Sequence, residues 1–319
     1  MILKTSNLSE YKILVTGASG FLGRQLVKTL LANRASVVGI DCNPPPSSYD
    51  KAIENESFRF VLGNFQDKVD EALSQFISLK KKKGAVFHMA GIAHTEECGK
   101  NPIRAFESNV LLTVQVLEFC IKNKINRFVF PSTGLVYGDQ GGRPSREQNP
   151  SIAQNIYSAT KLSAESIIQG YANSFGLNCI IARLSNVYDS DVHPATVVGT
   201  ILKQVKNGGK IAVRSLAPIR DFIYIDDVIE GFIRLFVSID KAGCYIVNLS
   251  TGIGSSVQEL AETACKAASI PIDRIQSKEE LESLKSMLVL DNSLLVKLTG
   301  WRPRYNLSEG LRLILKDLV

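Results

Sequence analysis

Tyr157 and Lys161 stand four residues apart in "YSATK", so a helix there puts a phenol and an ammonium on one face. A tyrosine titrates near ~10 and is a poor base at neutral pH. An ammonium beside it favours the phenolate, which could then take a proton from a substrate hydroxyl. Alone, the spacing occurs by chance in many helices as a surface cation–aromatic pair. Its weight depends on the residues that precede it.

The first of these are the glycines of "ILVTGASGFLGRQL", Ile13 to Leu26, where a strand pattern runs into Gly17, Gly20 and Gly23 and then a helix pattern. Glycine permits the positive φ of a tight turn and lets a phosphate approach the main chain. The helix N-terminus adds unpaired N–H groups and a positive dipole end, a seat for a pyrophosphate. The next strand, "SVVGID", ends in Asp41, 24 positions after Gly17. A carboxylate there accepts both ribose hydroxyls of an adenosine and repels a 2′-phosphate. Together these features read as a dinucleotide site that favours NAD over NADP. The positive charge of an oxidised nicotinamide would join Lys161 in favouring the Tyr157 phenolate.

These groups need a scaffold, and the chain supplies an alternating one. "KILVTG", "SVVGID", "FRFVLGN", "GAVFHMA", "RFVFPST" and "NCIIARL" are short apolar runs, separated by helix-length segments such as "FLGRQLVKTLLANR" and "AFESNVLLTVQVLEFCIKN". In the latter, Val110, Val114, Leu117 and Ile121 recur as one buried helix face requires. The class is α/β, with a doubly wound parallel sheet covered on both faces. After Leu184 the rhythm loosens into "NGGK", "LAPIRDF", "STGIGS" and "RPRYN", with late strands "KIAV" and "CYIVNL". The expected division is 1–184, binding the dinucleotide, and 185–319, a smaller substrate lobe whose segments interleave with the main sheet. "FVFPSTGLVYGD" adds Ser132 and Thr133 at a strand's C-terminal end, where open α/β sheets bind ligands.

The G-x-x-G-x-x-G spacing of "TGASGFLG" resembles the extended short-chain dehydrogenase/reductase superfamily, in its NAD-dependent epimerase/dehydratase branch. That resemblance runs almost the full length. It implies a Rossmann fold with NAD held by Gly17, Gly20, Phe21, Leu22, Gly23 and Asp41. It adds Asn64 and Phe65 of "GNFQD" beside the adenine, although the family usually has Asp at the position of Asn64. "VFHMAGIAH" resembles the strand and loop under the nicotinamide ribose, implicating Met89, Ala90 and Gly91, with His88 a packed structural imidazole. "ESNVLLT" resembles the family's Asn-Val helix, placing Asn109 on its inner face and Ser108 near the cofactor. "ARLSNVYD" implicates Ser185 near the nicotinamide and Asn186 at the substrate.

The same resemblance makes Thr133 the hydroxyl that hydrogen-bonds the reacting sugar oxygen, with Ser132 supporting, and Tyr157 and Lys161 the remaining catalytic residues. Arg220 of "RDFIYIDDV" falls where the family binds the substrate's diphosphate, a task that suits a guanidinium fork. Its plain alternative is an Arg220–Asp221 surface pair. Related dehydratases and decarboxylases carry an acidic residue just after the Thr133 position; this chain has Gly134 and Leu135, which disfavours both reactions. Asp189-Ser190 replaces the family's Gly-Pro after "NVY", leaving the sugar's identity open.

The implied activity is that of an NAD-dependent nucleotide-sugar 4-epimerase of the UDP-glucose/UDP-galactose type, in carbohydrate metabolism such as polysaccharide biosynthesis. The alternative is an NAD(P)H-dependent NDP-4-keto-6-deoxyhexose 4-reductase using the same residues. A non-catalytic scaffold has no need of Thr133, Tyr157 and Lys161 together.

Composition agrees with this reading. Of 319 residues 45% are hydrophobic and 21% charged, as in a soluble globular protein. The net charge of +6 suits an anionic small ligand. Lys80–Lys83 lack the interleaved aromatics of a nucleic-acid surface and read as a solvated helix end, so no nucleic-acid partner is expected. No run approaches the ~20 apolar residues of a membrane span, and "MILKTSNLSEYK" lacks a signal-peptide core, so cytoplasmic residence is expected. Six scattered cysteines show no metal-type spacing with His88, His94 or His193, so neither metal nor disulfide is expected. The expected partners are a nucleotide-diphosphate sugar and a second copy, as a homodimer.

Overall fold

Six of the apolar runs become the strands Tyr11–Thr16 (β1), Ser36–Asp41 (β2), Phe58–Leu62 (β3), Lys83–His88 (β4), Arg127–Thr133 (β5) and Asn178–Leu184 (β6). The computed structural model describes residues 8–49, 56–208, 210–278 and 286–316; Met1 to Asn7, at the head of the segment read above for a signal peptide, lie outside them, as does Gly209 of "NGGK". Four short strands follow: Asn186–Tyr188 (β7), Ile211–Val213 (β8), Ile219–Tyr224 (β9) and Gly243–Leu249 (β10). Gly254–Ser256 (β11), Ile275–Ser277 (β12) and Met287–Leu288 (β13) complete the set. The main sheet is seven-stranded and parallel, in the order β10-β6-β5-β4-β1-β2-β3, a Rossmann arrangement. Every residue of β2 is buried, which is why that strand shows no polar alternation.

The chain forms two compact units. The first comprises Met1–Val136, Ala153–Ala182 and Phe232–Val247. Its core joins Leu14, Val38, Val86, Phe128, Phe130 and Ile181 from the strands to Val116, Leu117, Cys120, Ala164 and Ile168 from the helices. Each fully buried side chain of this size contributes roughly 1.5–3 kcal/mol. Pro102–Phe106 and Leu112–Lys122 are α-helical, but Glu107–Leu111 between them is a π-helical turn. Of the expected stripe, Val110 and Leu117 are buried and Val114 and Ile121 half-buried, while Thr113, Val116 and Cys120 extend the buried face. Lys80–Lys83 do not end a helix as a block. The helix Phe65–Ser78 stops before them, and Lys83 opens β4 and pairs with Glu10 at 2.6 Å.

The second unit comprises Tyr137–Ile152, Arg183–Gly231 and Asn248–Val319. Its own core gathers Tyr188, Ile201, Leu202, Phe222, Leu260, Leu311 and Leu315. Three helices pack there, Val197–Lys206, Val257–Ala267 and Leu307–Leu315, and each starts at a side-chain cap: Thr196, Ser256 and Asn306. β9 pairs with β11 antiparallel and with β13 and β7 in parallel.

Candidate active site

The helix Ile156–Phe175 carries Tyr157 and Lys161. Asn155 and Ser158 form a reciprocal capping box at its start, and Gly176 closes it in the left-handed conformation (φ 69°). The capping box thus fixes the first turn around the candidate base. Tyr157, Lys161 and Thr133 are all buried, and the Thr133 hydroxyl lies near enough to the Tyr157 phenol to favour its ionised form. Thr133 Oγ1 also accepts from the main-chain N–H of Leu135 at 3.2 Å, which holds the hydroxyl at the end of β5. The phenol packs against Cys98, Ala105, Ile92 and Leu135.

Sharing a helix face did not make Lys161 a direct partner of the phenol. Its Nζ donates to the Pro131 carbonyl at 2.9 Å and lies 4.4 Å from the centre of the Phe130 ring. In the chain alone, burial dominates both titrations. It pushes the Tyr157 phenol well above its usual value, against the opposing influence of the Thr133 hydroxyl. It lowers the Lys161 ammonium to about 8, against the Glu165 carboxylate and the Cys98 thiol. The lowered phenol value expected from the spacing therefore needs charge beyond what this fold supplies by itself.

Glu165 went unread in the sequence. It is fully buried and accepts a hydrogen bond from the Ser132 hydroxyl. The signal was present, because Tyr157, Lys161 and Glu165 follow one another at i, i+4 and i+8. Ser132 thus reaches a carboxylate rather than backbone.

The glycine turn has the positive φ expected of it at Gly17, together with two close main-chain approaches. Gly17 has φ +67°, and a Cβ there would lie 2.6 Å from the Ala90 nitrogen; one at Gly23 would lie 1.9 Å from the Gly17 carbonyl oxygen. At these two positions the main chain itself fills the space a side chain would need. No side chain caps the helix Phe21–Ala32, so the N–H groups of its first turn, Phe21 and Leu22 included, face outward without a side-chain acceptor. Tyr49, beyond the Pro44–Pro46 loop, props the turn by donating to the Ala18 carbonyl at 2.7 Å.

At the end of β2, Asp41 Oδ2 accepts from Ser19 N at 3.0 Å and Oδ1 from Asn43 N at 2.8 Å. Oδ1 also accepts from the Asn43 side-chain amide at 3.2 Å, so Oδ2 keeps a second lone pair for a ribose hydroxyl and Oδ1 can take another in place of that amide. Asn64 stands before the helix Phe65–Ser78 without capping it, its amide donating to Asp67 at 3.3 Å, and Phe65 is buried. The N–H donors of an uncapped helix start, the acceptor oxygens of a strand-end carboxylate and a buried ammonium together suit a diphosphate flanked by riboses.

The loop after β4 is pinned from both ends. Met89 N bonds the Thr16 carbonyl and Ala90 N the Thr16 hydroxyl. Asn109, on the π turn with the half-buried Ser108, takes Ile92 N at 2.7 Å and donates to the Ile92 carbonyl and the Thr160 hydroxyl at 3.0 Å. A Cβ on Gly91 would meet that same Asn109 oxygen at 2.7 Å. Asn109 therefore ties the loop to the helix Ile156–Phe175. His88 is fully buried between the hydroxyls of Thr16 (2.7 Å) and Thr113 (3.1 Å), and burial lowers it to about 3. It is a neutral structural imidazole.

In the second unit, Asn186 is in register with Phe222, two positions along β9 from Arg220. The Arg220 guanidinium donates to the Ile219 and Ser286 carbonyls (2.8 and 2.9 Å) and to the Ser286 hydroxyl (2.9 Å). The surface-pair alternative does not hold. Strand alternation turns Asp221 to the other face, where it accepts from Thr251 N, Thr251 Oγ1 and Gly252 N. Ser185, expected near the nicotinamide, is in this unit, its hydroxyl beside Asp221.

Residues 13–249 match the family described as NAD dependent epimerase/dehydratase. The chain belongs to that family. It is 28% identical over 327 residues to the UDP-glucose 4-epimerase of Dictyostelium discoideum, covering 94% of each protein. It is also 30% identical over 238 residues to the dTDP-D-glucose 4,6-dehydratase of the same organism, a match spanning 69% of this chain and 54% of that protein. Among solved structures, the UDP-glucose 4-epimerase of Thermus thermophilus in complex with NAD superposes with a TM-score of 0.82 at 26% identity, covering 96% of this chain and 98% of that one. Family members of two activities thus resemble the chain at similar identity, and residues within the site must separate them. No helix among the described residues is long and apolar enough to cross a membrane.

Proposed function

We propose that this family member is an NAD-dependent nucleotide-sugar 4-epimerase acting on a hexose of the UDP-glucose/UDP-galactose type. The observation that carries the reading is the buried cluster of Thr133, Tyr157 and Lys161, followed by a 3-10 turn, Gly134–Tyr137, that has no acidic side chain. Dehydration needs a further proton donor and acceptor, and that turn offers none. Bound NAD supplies the hydride acceptor and donor. In this reading Tyr157 removes the O4 proton as C4 becomes a ketone and returns it when the alcohol reforms. Thr133 hydrogen-bonds O4, and Lys161 holds the nicotinamide ribose while its charge offsets the cost of a buried phenolate. Gly17, Gly20, Phe21, Leu22, Gly23, Asp41, Asn64, Phe65, Met89, Ala90, Gly91, Ser108 and Ser185 hold the cofactor. Asn186 and Arg220 hold the nucleotide diphosphate, so that the ketosugar stays bound while it turns over.

On this assignment residues 1–184 carry the dinucleotide and the catalytic groups, and 185–319 the nucleotide-sugar contacts. A homodimer is part of the proposal, supported by exposed apolar side chains at Ile103, Phe106 and Leu111. The six unpaired cysteines suit a reducing compartment, the cytoplasm.

The test is an NMR screen of UDP-, dTDP-, GDP- and CDP-hexoses with the purified protein. C4 inversion without added cofactor, together with the absorbance of retained NAD(H), is the expected result. Turnover of 4-keto-6-deoxysugars alone, and only with added NAD(P)H, would replace the epimerase by the reductase.

A further inference from the structure

Lys161 needs help that the proposed mechanism does not describe. An ammonium buried this deeply keeps few of water's hydrogen bonds, and one carbonyl and one ring face return only part of them. The groups around it can be named element by element. β5 contributes the Pro131 carbonyl and the Phe130 ring. β4 contributes the His88 imidazole, and the helix Thr95–Lys100 the Cys98 thiol. Its own helix adds Tyr157 one turn earlier and Glu165 one turn later. Burial keeps the imidazole neutral and holds the Cys98 thiol and the Tyr157 phenol in their protonated forms. Glu165 supplies the carboxyl group, one turn along the same helix, whose charge favours the Lys161 ammonium.

Glu165 is itself built into place. It is fully buried, takes the Ser132 hydroxyl from β5 and faces the Cys244 thiol of β10, which burial pushes up to about 12. A buried carboxylate is costly to keep, and a fold that merely filled space here would do better with an apolar residue. We infer that Glu165, anchored by Ser132, is a positioning residue that holds the Lys161 ammonium in the site by its charge. Thr133 and Ser132 then divide one strand end between them: Thr133 meets the phenol, and Ser132 fixes the counter-ion of the lysine. The inference rests on the roles proposed for Tyr157 and Lys161.

The deciding variant is Glu165→Gln in the full chain, which keeps the shape and the Ser132 contact but removes the charge. Lysine ε-carbon NMR reads the Lys161 titration directly, with the resonance assigned by its disappearance in Lys161→Arg. Its midpoint should fall by about one unit or more, the usual effect of losing a neighbouring opposite charge. The alkaline limb of the pH–rate profile should move down with it, and NAD affinity should weaken more at pH 8.5 than at pH 6.5. Glu165→Asp should restore the midpoint while kcat stays low, because the charge returns on a shorter stem. Ser132→Ala should move the midpoint less than Glu165→Gln, and it carries the test if the latter fails to fold. An unmoved Lys161 midpoint in the folded Gln variant, or in Ser132→Ala where Gln does not fold, overturns the inference; so does an Asp variant that behaves like Gln. A midpoint that shifts in a protein that inverts no sugar rejects the epimerase and leaves the Glu165–Lys161 coupling standing.

Discussion

The first unit buries a cation, Lys161, against one carbonyl and one carboxylate, whereas the second buries two carboxylates, Asp221 and Asp227, against main-chain N–H groups. Burial raises both of those carboxyls; the Thr251 hydroxyl and two main-chain N–H groups pull Asp221 back down, and two main-chain N–H groups with the Arg304 guanidinium do so for Asp227. Asp227 takes Arg304 N and Tyr305 N, both at 3.0 Å, and so staples the segment that leads into the last helix. An anion held by fixed backbone dipoles becomes structure. Lys161 has fewer fixed partners, and its proton is left poised near neutral pH. Arg220, on β9 of the second unit, is only half-buried, and among the described residues its guanidinium is oriented by Ser286 and the Ile219 carbonyl. On the function proposed above, the same sign of charge serves proton chemistry in one unit and is offered to an anionic ligand in the other.

That contrast is broken most severely at the phenol. Tyr157→Phe removes the proposed base while leaving the packing against Cys98, Ala105 and Ile92 in place. Turnover should fall by at least ~10² with NAD retention unchanged. Near-normal kcat would show that the buried cluster is not the chemical centre.

A smaller effect is expected at Arg220. A charge-assisted contact to a diphosphate contributes roughly 1.5–3 kcal/mol. Arg220→Ala should therefore raise KM for the nucleotide sugar by ~10–10² and leave NAD affinity nearly unaltered. Arg220→Lys should recover part of the loss, because a point charge lacks the fork. Equal losses of sugar and NAD binding would make Arg220 a structural residue through Ser286, and the contrast between the units would disappear.

The fold was legible because its strands are nearly continuous apolar runs, and Asp41, Tyr157 and Lys161 could be read because each sits at a fixed offset from a pattern. What could not be read depends on contacts far apart in sequence. The π turn at Glu107–Leu111 interrupts what the apolar spacing shows as one ordinary helix, and Val114 and Ile121, read as buried alongside Val110 and Leu117, are half-buried. The space at Gly17 is filled by Ala90, more than seventy residues on, and no local rule anticipates that. Glu165 looks like any helical glutamate until Ser132 and Cys244 are brought against it. The balance between burial and charge at Tyr157 likewise depends on how deep the helix lies, which spacing does not encode.

The subtlest way to sharpen the comparison is through the pH dependence of stability. The folded value of Lys161, about 8, lies below the 10.5 of an exposed lysine. Between those values the unfolded chain holds a proton that the folded chain has released. Unfolding then takes up that proton, so Lys161 makes stability rise with pH across the window; below about pH 8 both states are protonated and its slope vanishes. One proton corresponds to a slope of about 1.4 kcal/mol per pH unit. Urea unfolding of the cofactor-free chain at pH 8, 9 and 10 measures it, with Lys161→Met as the reference that lacks the group. The difference between the two chains should grow in favour of the natural one as pH increases. An Arg220→Met chain should run parallel to the natural one, because a guanidinium stays protonated throughout this range. Parallel curves for Lys161→Met as well would mean that Lys161 keeps its proton as firmly as Arg220 does, and that the two units do not differ in how they hold a positive charge.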